Sequence, residues 1–187
     1  MRKALFTSVL SLLLPLPALA QEYPRVEVFG GYSYFRANPE GYNLNGWNAS
    51  IAGNISNWFG IVGDVSGHYG APSQFGFRIP GVDISSSTFL AGPKLAYREG
   101  RVTAFAHFLI GDARAGTGAF GLSTSDNALA AAIGGGIDFK LNDWLAVRAI
   151  QADYVMTRFR TAPEEFGPER QNNARLSFGL VLQLGNR

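Results

Sequence analysis

The stretch Ala174–Leu184 reads ARLSFGLVLQL, and its side chains alternate between two kinds. Every second residue is bulky and apolar: Leu176, Phe178, Leu180, Leu182 and Leu184. The residues between them are small, polar or charged, apart from one valine: Arg175, Ser177, Gly179, Val181 and Gln183. Because successive side chains of a β-strand point to opposite faces, this alternation predicts a strand with one bulky apolar face.

The same period recurs along the chain from Val26 onward, with turn-forming residues between the periodic segments. The predicted strands are roughly Val26–Arg36, Leu44–Asn54, Phe59–Gly70, Ser86–Arg98, Arg101–Arg114, Ala128–Leu141, Leu145–Phe159 and Ala174–Leu184. Each is long enough to cross the hydrocarbon of a bilayer, for which a tilted strand needs about 9–11 residues. We therefore predict an all-β fold, an eight-stranded antiparallel up-and-down transmembrane β-barrel.

The predicted connections alternate in length along the chain. Tight turns are expected around residues 55–57, 99–100 and 142–143. Longer polar loops are expected at Ala37–Asn43, Ala71–Ser85, Ala115–Asn127 and Arg160–Asn173. Short turns at one end and long loops at the other are typical of outer-membrane barrels. An even strand number would place both chain termini at the same end, the periplasmic one.

The first twenty residues are predicted to be a secretory signal peptide, which leaves residues 21–187 as the barrel domain. Arg2 and Lys3 precede a short apolar run, and Ala18–Ala20 has the small residues of a cleavage site. Removal of these two basic residues from the 16 in the chain leaves 14, which equals the number of acidic residues. A neutral chain without a basic patch predicts no nucleic-acid partner. The chain has no cysteine and no cluster with metal-ligand spacing, so no disulfide, metal or cofactor is expected.

Charged residues on the small polar face are expected to point into the barrel. By their parity they are Glu27, Asp64, Lys94, His107, Asp138, Arg148, Asp153 and Arg175. Because buried charges must be paired and hydrogen-bonded, we predict a salt-bridge network that closes the lumen. Arg148 is ambiguous, since its parity is opposite to that of Gln151 and Asp153. Either it faces lipid and snorkels to the interface, or a β-bulge shifts the register.

Aromatic residues lie close to the predicted strand ends. Trp58 and Trp144 follow tight turns, and Tyr97 precedes one. Those toward the long loops are Tyr32, Tyr34, Trp47, Tyr69 and Tyr154. Amphipathic rings favour the interface between lipid and water, so we predict two aromatic girdles. In a soluble barrel the same rings would be ordinary core residues.

Three short motifs carry a resemblance to a known family. They are VFGGYS at Val28–Ser33, GIVGDV at Gly60–Val65 and AIGGGID at Ala132–Asp138. With the eight segments, they resemble the small outer-membrane β-barrels, in particular the transmembrane domain of outer-membrane protein A. The resemblance covers Val26 to the end and implies a Gram-negative outer-membrane location and assembly by the barrel-assembly machinery. Some members of this family continue past the barrel into a peptidoglycan-binding domain. We expect no such domain here, because the sequence stops at Arg187.

The function expected from these features is a structural role in outer-membrane integrity, without enzymatic activity. The expected partners are outer-membrane lipid and lipopolysaccharide, and we expect a monomer. A narrow gated ion pore is an alternative, because relatives of outer-membrane protein A suggest one. A surface adhesin is another, because long loops on a rigid scaffold commonly bind partners.

Two further alternatives depend on particular residues. A lipid A-modifying enzyme would need a serine, a histidine and an acid at the outer rim, and the chain has only His68 and His107. Ser66 shares the predicted face of His68, two residues away. A soluble lipocalin-like carrier would turn the apolar face inward around a ligand.

Overall fold

The computed structural model describes residues 23–38, 42–70, 73–74, 77–78, 82–119, 122–159 and 170–186. The predicted signal peptide over residues 1–20 lies outside the described residues. The described part of the chain contains no helix with the length and hydropathy needed to cross a bilayer. Its strands are β1 Pro24–Ala37, β2 Tyr42–Asn54, β3 Phe59–Gly70, β4 Ser73–Gln74, β5 Phe77–Arg78, β6 Val82–Glu99, β7 Val102–Ala119, β8 Leu122–Lys140, β9 Leu145–Phe159 and β10 Arg170–Asn186.

Eight of these strands form a closed antiparallel barrel in the order β1-β10-β9-β8-β7-β6-β3-β2. The barrel closes because β1 pairs with β10 on one side and with β2 on the other. The two short strands β4 and β5 pair with each other in the connection between β3 and β6. The prediction of an eight-stranded antiparallel barrel is confirmed.

The two ends of the barrel differ, and we name them by what they carry. The terminal end holds Pro24, Asn186 and the short turns at residues 55–58, 100–101 and 141–144. The loop end holds the connections at residues 38–41, 71–81, 120–121 and 160–169. The predicted pattern of tight turns at the terminal end is confirmed, and Gly100 has the positive φ of 56° that its turn requires.

The predicted loop Ala115–Asn127 is wrong, because most of it continues the ladder between β7 and β8. Pairing runs from Ala115↔Asp126 to Ala119↔Leu122, which leaves only residues 120–121 as the connection. The segment is rich in Gly, Ser and Thr and lacks apolar alternation, so sequence periodicity could not identify it as strand. The loops predicted to reach Ser85 and Asn173 are likewise shorter, since β6 begins at Val82 and β10 at Arg170.

A β-bulge in β9 resolves the parity of Arg148. Against β8, Ile137 pairs with Ile150 but Asp138 pairs with Arg148, so Ala149 is the extra residue. Ala149 and Ile150 are both exposed on the outside, whereas Arg148 and Gln151 are both buried inside. Of the two alternatives from the sequence, the bulge is the one observed, and Arg148 does not face outward.

The barrel has an apolar outside and a tightly packed interior. Among the exposed outward residues are Leu176, Phe178, Leu180, Leu182 and Leu184 on β10. Between them along β10, Arg175, Ser177, Val181 and Gln183 are buried inside. Gly31 and Gly179 face each other at the seam between β1 and β10, where a Cβ on Gly31 would lie 2.8 Å from the Cα of Gly179. This close approach of the two strands requires glycine.

Candidate functional site

The centre of the lumen is organised around Arg175 of β10, whose side chain is completely buried. Its Nη1 donates to Asp64 Oδ1 on β3 at 2.8 Å, and its Nε donates to Asp153 Oδ2 on β9 at 2.9 Å. Because β3 and β9 lie on opposite sides of the barrel, the guanidinium bridges the lumen from wall to wall. Asn48 Nδ2 donates to the other oxygen of Asp64 at 2.8 Å, so both carboxylate oxygens of Asp64 are hydrogen-bonded.

A second buried ion pair extends this group toward the terminal end. Arg148 makes a two-pronged contact with Asp138, from Nε to Oδ1 at 2.8 Å and from Nη2 to Oδ2 at 3.0 Å. The guanidinium lies between the rings of Phe29 and Phe105, 4.3 Å from each centroid. Planar guanidinium groups suit both bidentate carboxylate pairing and stacking on aromatic faces. Arg148 is therefore held from three sides.

Gln151 joins the two ion pairs into one network. Arg148 Nη1 donates to its side-chain oxygen at 2.6 Å, and Gln151 Nε2 donates to Asp153 Oδ2 at 2.8 Å. The ring nitrogen Nε2 of His107 lies 2.7 Å from the other oxygen of Asp153. The chain Asp138–Arg148–Gln151–Asp153–Arg175–Asp64 therefore crosses the lumen without a break in its hydrogen bonds.

A separate cluster lies nearer the terminal end, around Glu27. Lys94 forms a buried ion pair with Glu27. Arg98 Nη2 donates to Glu27 Oε1 at 2.7 Å, and Asn54 Nδ2 donates to the same oxygen at 3.0 Å. Arg98 was not among the predicted lumen residues, although it has the same parity as Lys94 and could have been found from that parity.

The two clusters together balance their charge. Within the described residues, the buried carboxylates are Glu27, Asp64, Asp138 and Asp153, and the lumen cations bonded to them are Lys94, Arg98, Arg148 and Arg175. A cavity of only about 10 Å³ separates the clusters, with Glu27, Lys94, Asp64 and Arg148 in its lining. That volume is roughly the space for one water molecule. The eight charged residues that the sequence predicted for the lumen are all buried inside the barrel. Arg98 is a ninth charged residue of the lumen, which the sequence analysis did not predict.

The loop-end half of the lumen has a different character, because apolar side chains there pack among buried uncharged polar ones such as Ser33, Thr88 and Asn173. The buried apolar residues form one contiguous cluster that also reaches toward the terminal end: Phe35, Leu44, Ala52, Val62, Leu90, Leu109, Ala113, Ala130, Ala132 and Val155. Leu109 and Val155 have no solvent-exposed surface. Sequence reasoning missed this apolar layer. The alternation in the sequence places Leu90 and Leu109 on the inward face. Only the strand registers show that β1, β2 and β9 supply apolar residues that pack against them.

The hydroxyl and histidine groups near this layer are engaged with one another. Ser66 Oγ lies 2.7 Å from Thr88 Oγ1, and His68 Nε2 lies 2.8 Å from Ser33 Oγ. The ring of His68 also packs against Phe35, with centroids 5.0 Å apart. Ser66 and His68, the residues considered for a lipid A-modifying enzyme, are thus both buried inside and bonded to other partners.

The aromatic residues predicted for the girdles lie on the outer surface. At the terminal end, Trp58, Tyr97 and Trp144 are exposed. Toward the loop end, Tyr32, Trp47, Tyr69 and Tyr154 are exposed and Tyr34 is half-buried. Between these levels the described outward side chains carry no charge; the outward charged residues on the loop-end side are Arg36, Asp112, Arg114 and Arg158. A soluble carrier would need its apolar face inside, whereas this barrel has that face outside.

Comparisons with known proteins agree with this architecture. The family model described as outer membrane protein beta-barrel domain matches residues 6–182. None of the curated proteins matches the chain.

Several solved structures share the fold at low sequence identity. Neisserial surface protein A superposes with a TM-score of 0.66 at 13% identity, over 85% of this chain and 97% of that one. Ail, the attachment invasion locus protein of Yersinia pestis, superposes with a TM-score of 0.58 at 19% identity, over 87% of this chain and 99% of Ail. The outer membrane protein OprG from Pseudomonas aeruginosa superposes with a TM-score of 0.53 at 9% identity, over 88% of this chain and 97% of OprG. At these identities the likeness is one of fold.

Proposed function

The chain belongs to the outer membrane protein β-barrel domain family, and from this premise we propose that it is a structural barrel of the outer membrane with a lumen closed to ions. In this proposal the terminal end faces the periplasm and the loop end faces outward, as the short turns and longer connections favour. The exposed aromatic residues at the two levels would mark the two interfaces. Export through the predicted signal peptide, insertion by the barrel-assembly machinery and a monomeric state belong to the same proposal.

The layered filling of the lumen is the observation that carries the proposal. An eight-stranded barrel is just wide enough for its interior to be filled by side chains. Here one layer is a charge-balanced network and the next is an apolar cluster that includes Leu90, Leu109 and Val155. An ion entering from the terminal end would have to break buried ion pairs and then leave its water behind in the apolar layer, and each step is costly.

Conductance across a planar lipid bilayer tests the closed lumen. We expect the wild-type barrel to show no stepwise ionic current, whereas the triple variant Arg148→Gly, Leu90→Gly and Leu109→Gly should conduct, because it removes large side chains from both the ionic network and the apolar layer. The exposed pair Phe89→Ala with Ile110→Ala, on the outer surface of the same strands, is the matched control and should stay silent. Current through the wild type would contradict the proposal and favour the narrow gated pore instead.

The structural role has its own cellular readout. Deletion of the gene should weaken the outer membrane as a barrier, measured as increased sensitivity to detergent. Complementation by the wild-type chain should restore resistance. Unchanged sensitivity after deletion would leave the closed barrel without the integrity role.

One observation favours surface recognition as a second candidate function. β7 and β8 have 18 and 19 residues, well beyond the 9–11 that a bilayer crossing needs. Their paired ends therefore project past the loop-end aromatic residues as a hairpin. A paired hairpin of this kind would present a surface to a partner outside the cell, as an adhesin requires.

A further inference from the structure

The outer wall formed by β1, β2 and β3 carries most of the loop-end aromatic residues. Tyr32, Tyr34, Trp47 and Tyr69 all lie on these three consecutive strands, whereas Tyr154 lies on β9. Their positions are neighbours in the sheet, because Tyr32 pairs with Trp47, and Asn45 pairs with both Tyr34 and Tyr69. We call this outward patch, with Asn43, Asn45 and Arg36, the aromatic rim.

The polar groups of the aromatic rim are held in place by hydrogen bonds. The Tyr34 hydroxyl donates to the side-chain oxygen of Asn43 at 2.6 Å, and the Tyr32 hydroxyl donates to that of Asn45. Each bond engages the amide oxygen and leaves the amide NH₂ group as a donor. Arg36 is exposed and pairs in register with Asn43, so a basic residue belongs to the same outward patch as the two amides. Amide and guanidinium donors suit the oxygens of a saccharide and a phosphate.

An open apolar groove of about 650 Å³ lies beneath the aromatic rim and extends from β1, β2 and β3 onto β6 and β7. It is formed where outward side chains are small, at Ala49, Gly63 and Ala91, and it is bordered by Phe89 and Ile110. Ala49 follows Trp47 as the next outward residue of β2, so groove and rim are continuous. The indole of Trp47 lies across Gly67, where a Cβ would come within 2.9 Å of the ring nitrogen.

The opposite wall differs from this one. In the barrel order β8 lies opposite β2, and β9 lies opposite β3. The outward residues there include Leu129, Ile133, Ile137, Ile150 and Tyr154, which are large and exposed. Small outward residues also pair there, as Gly135 does with Ala152, so the two walls differ chiefly in the aromatic and amide groups of the aromatic rim.

We propose that the groove and the aromatic rim together bind one glycolipid of the outer leaflet, with an acyl chain in the groove and a phosphorylated saccharide head group on the rim. The proposal rests on the proposed function, since it requires the barrel to lie in a membrane with the loop end outward. The groove is shallow and open to the surrounding lipid, and its apolar lining matches an acyl chain. The rim above it supplies aromatic faces, amide donors and one cation within reach of the same molecule.

Lipid binding to the refolded barrel in detergent, followed by native mass spectrometry, tests this site. The probe is lipid A, which has acyl chains and a phosphorylated disaccharide. Phosphatidylglycerol has chains and phosphate without the saccharide, and deacylated lipid A has the head group without chains. We expect lipid A to bind the wild type about tenfold more tightly than either of the other two, since each lacks one half of the contacts.

Two variants separate the groove from the rim. Gly63→Leu fills the groove, and a Cβ at this position would meet only Ile51 Cγ2 at 4.0 Å, so the barrel has room for it. Asn45→Ala with Tyr69→Ala removes part of the rim. Each variant should lower lipid A affinity about tenfold. The matched controls on the opposite wall, Ala131→Leu and Tyr154→Ala, should stay within about twofold of wild type.

The outcomes separate this inference from the proposed function. Every sample is also run unheated and boiled on a detergent gel, which reports whether a membrane-type barrel has formed. A folded wild-type barrel that binds lipid A no better than phosphatidylglycerol overturns the glycolipid site alone. An equal loss of affinity in the control variants and in the groove and rim variants does the same. Failure of the wild type to form a detergent-resistant barrel overturns the proposed function itself. Loss of affinity in both site variants and in neither control supports the site.

Discussion

Replacing Arg175 with leucine should lower the free energy of unfolding of the barrel by about 3–5 kcal/mol, because it leaves buried charges without their partner. Arg175 is fully buried and bonded to both Asp64 and Asp153, which come from opposite sides of the lumen. Without it, Asp64 keeps only one of its hydrogen bonds, the one from the neutral side-chain amide of Asn48. The measurement is urea unfolding of the barrel in lipid vesicles, followed by tryptophan fluorescence.

The matched control for this variant is Arg158→Leu. Arg158 lies on the adjacent strand β9 but is exposed at the loop end, so its loss should change the stability by only about 0–1 kcal/mol. The double variant Arg175→Leu with Asp64→Asn should lose less than the sum of the two single losses, because it no longer leaves Asp64 as an unpaired charge. Equal effects of Arg175→Leu and Arg158→Leu would contradict a buried network that supports the barrel.

An arginine at Leu180 should destabilise the barrel by about 2–4 kcal/mol in a bilayer, the cost of a basic residue on the lipid face at mid-depth. Leu180 is exposed on the outside of β10, half-way along the apolar row from Leu176 to Leu184. Asn172 lies on the same face of the same strand, near the loop end. The same unfolding assay measures both positions.

Asn172→Arg is the matched control, because it introduces the same side chain on the same strand near the predicted interface. Its cost should be about 0–1 kcal/mol, since arginine there reaches water. The difference between the two positions should disappear if the outer surface of β10 faces water along its whole length. A similar cost at both positions would therefore contradict the lipid-facing wall.

Most of the barrel could be predicted from the sequence, because each crossing strand is apolar on one face only. The predicted bounds of Phe59–Gly70 and Leu145–Phe159 are those of β3 and β9. The prediction was wrong at Ala115–Asn127, where β7 and β8 continue beyond the apolar band. The stretch Ala115–Asn127 has no alternation of apolar and polar residues, so periodicity could not identify it as strand although its backbone is paired.

The lumen was harder to predict because its contacts depend on register between strands. The sequence could place Asp153 and Arg175 on the inner face, but not show that Arg175 also reaches Asp64 across the barrel. The bulge at Ala149 changes which residues of β9 face inward, and the sequence alone left it as one of two alternatives. The apolar layer was missed for the same reason, since it is assembled from strands distant in sequence.

The most direct test of the whole account is the heat modifiability of the barrel. Residues 21–187 are refolded in detergent and run on a denaturing gel without heating and after boiling, with β-type circular dichroism as a check on folding. The account predicts a detergent-resistant form that changes its mobility on boiling, because its apolar wall is built for lipid and every barrel strand is paired on both sides. A chain that folds as a monomer in plain buffer and shows no shift would contradict the membrane barrel.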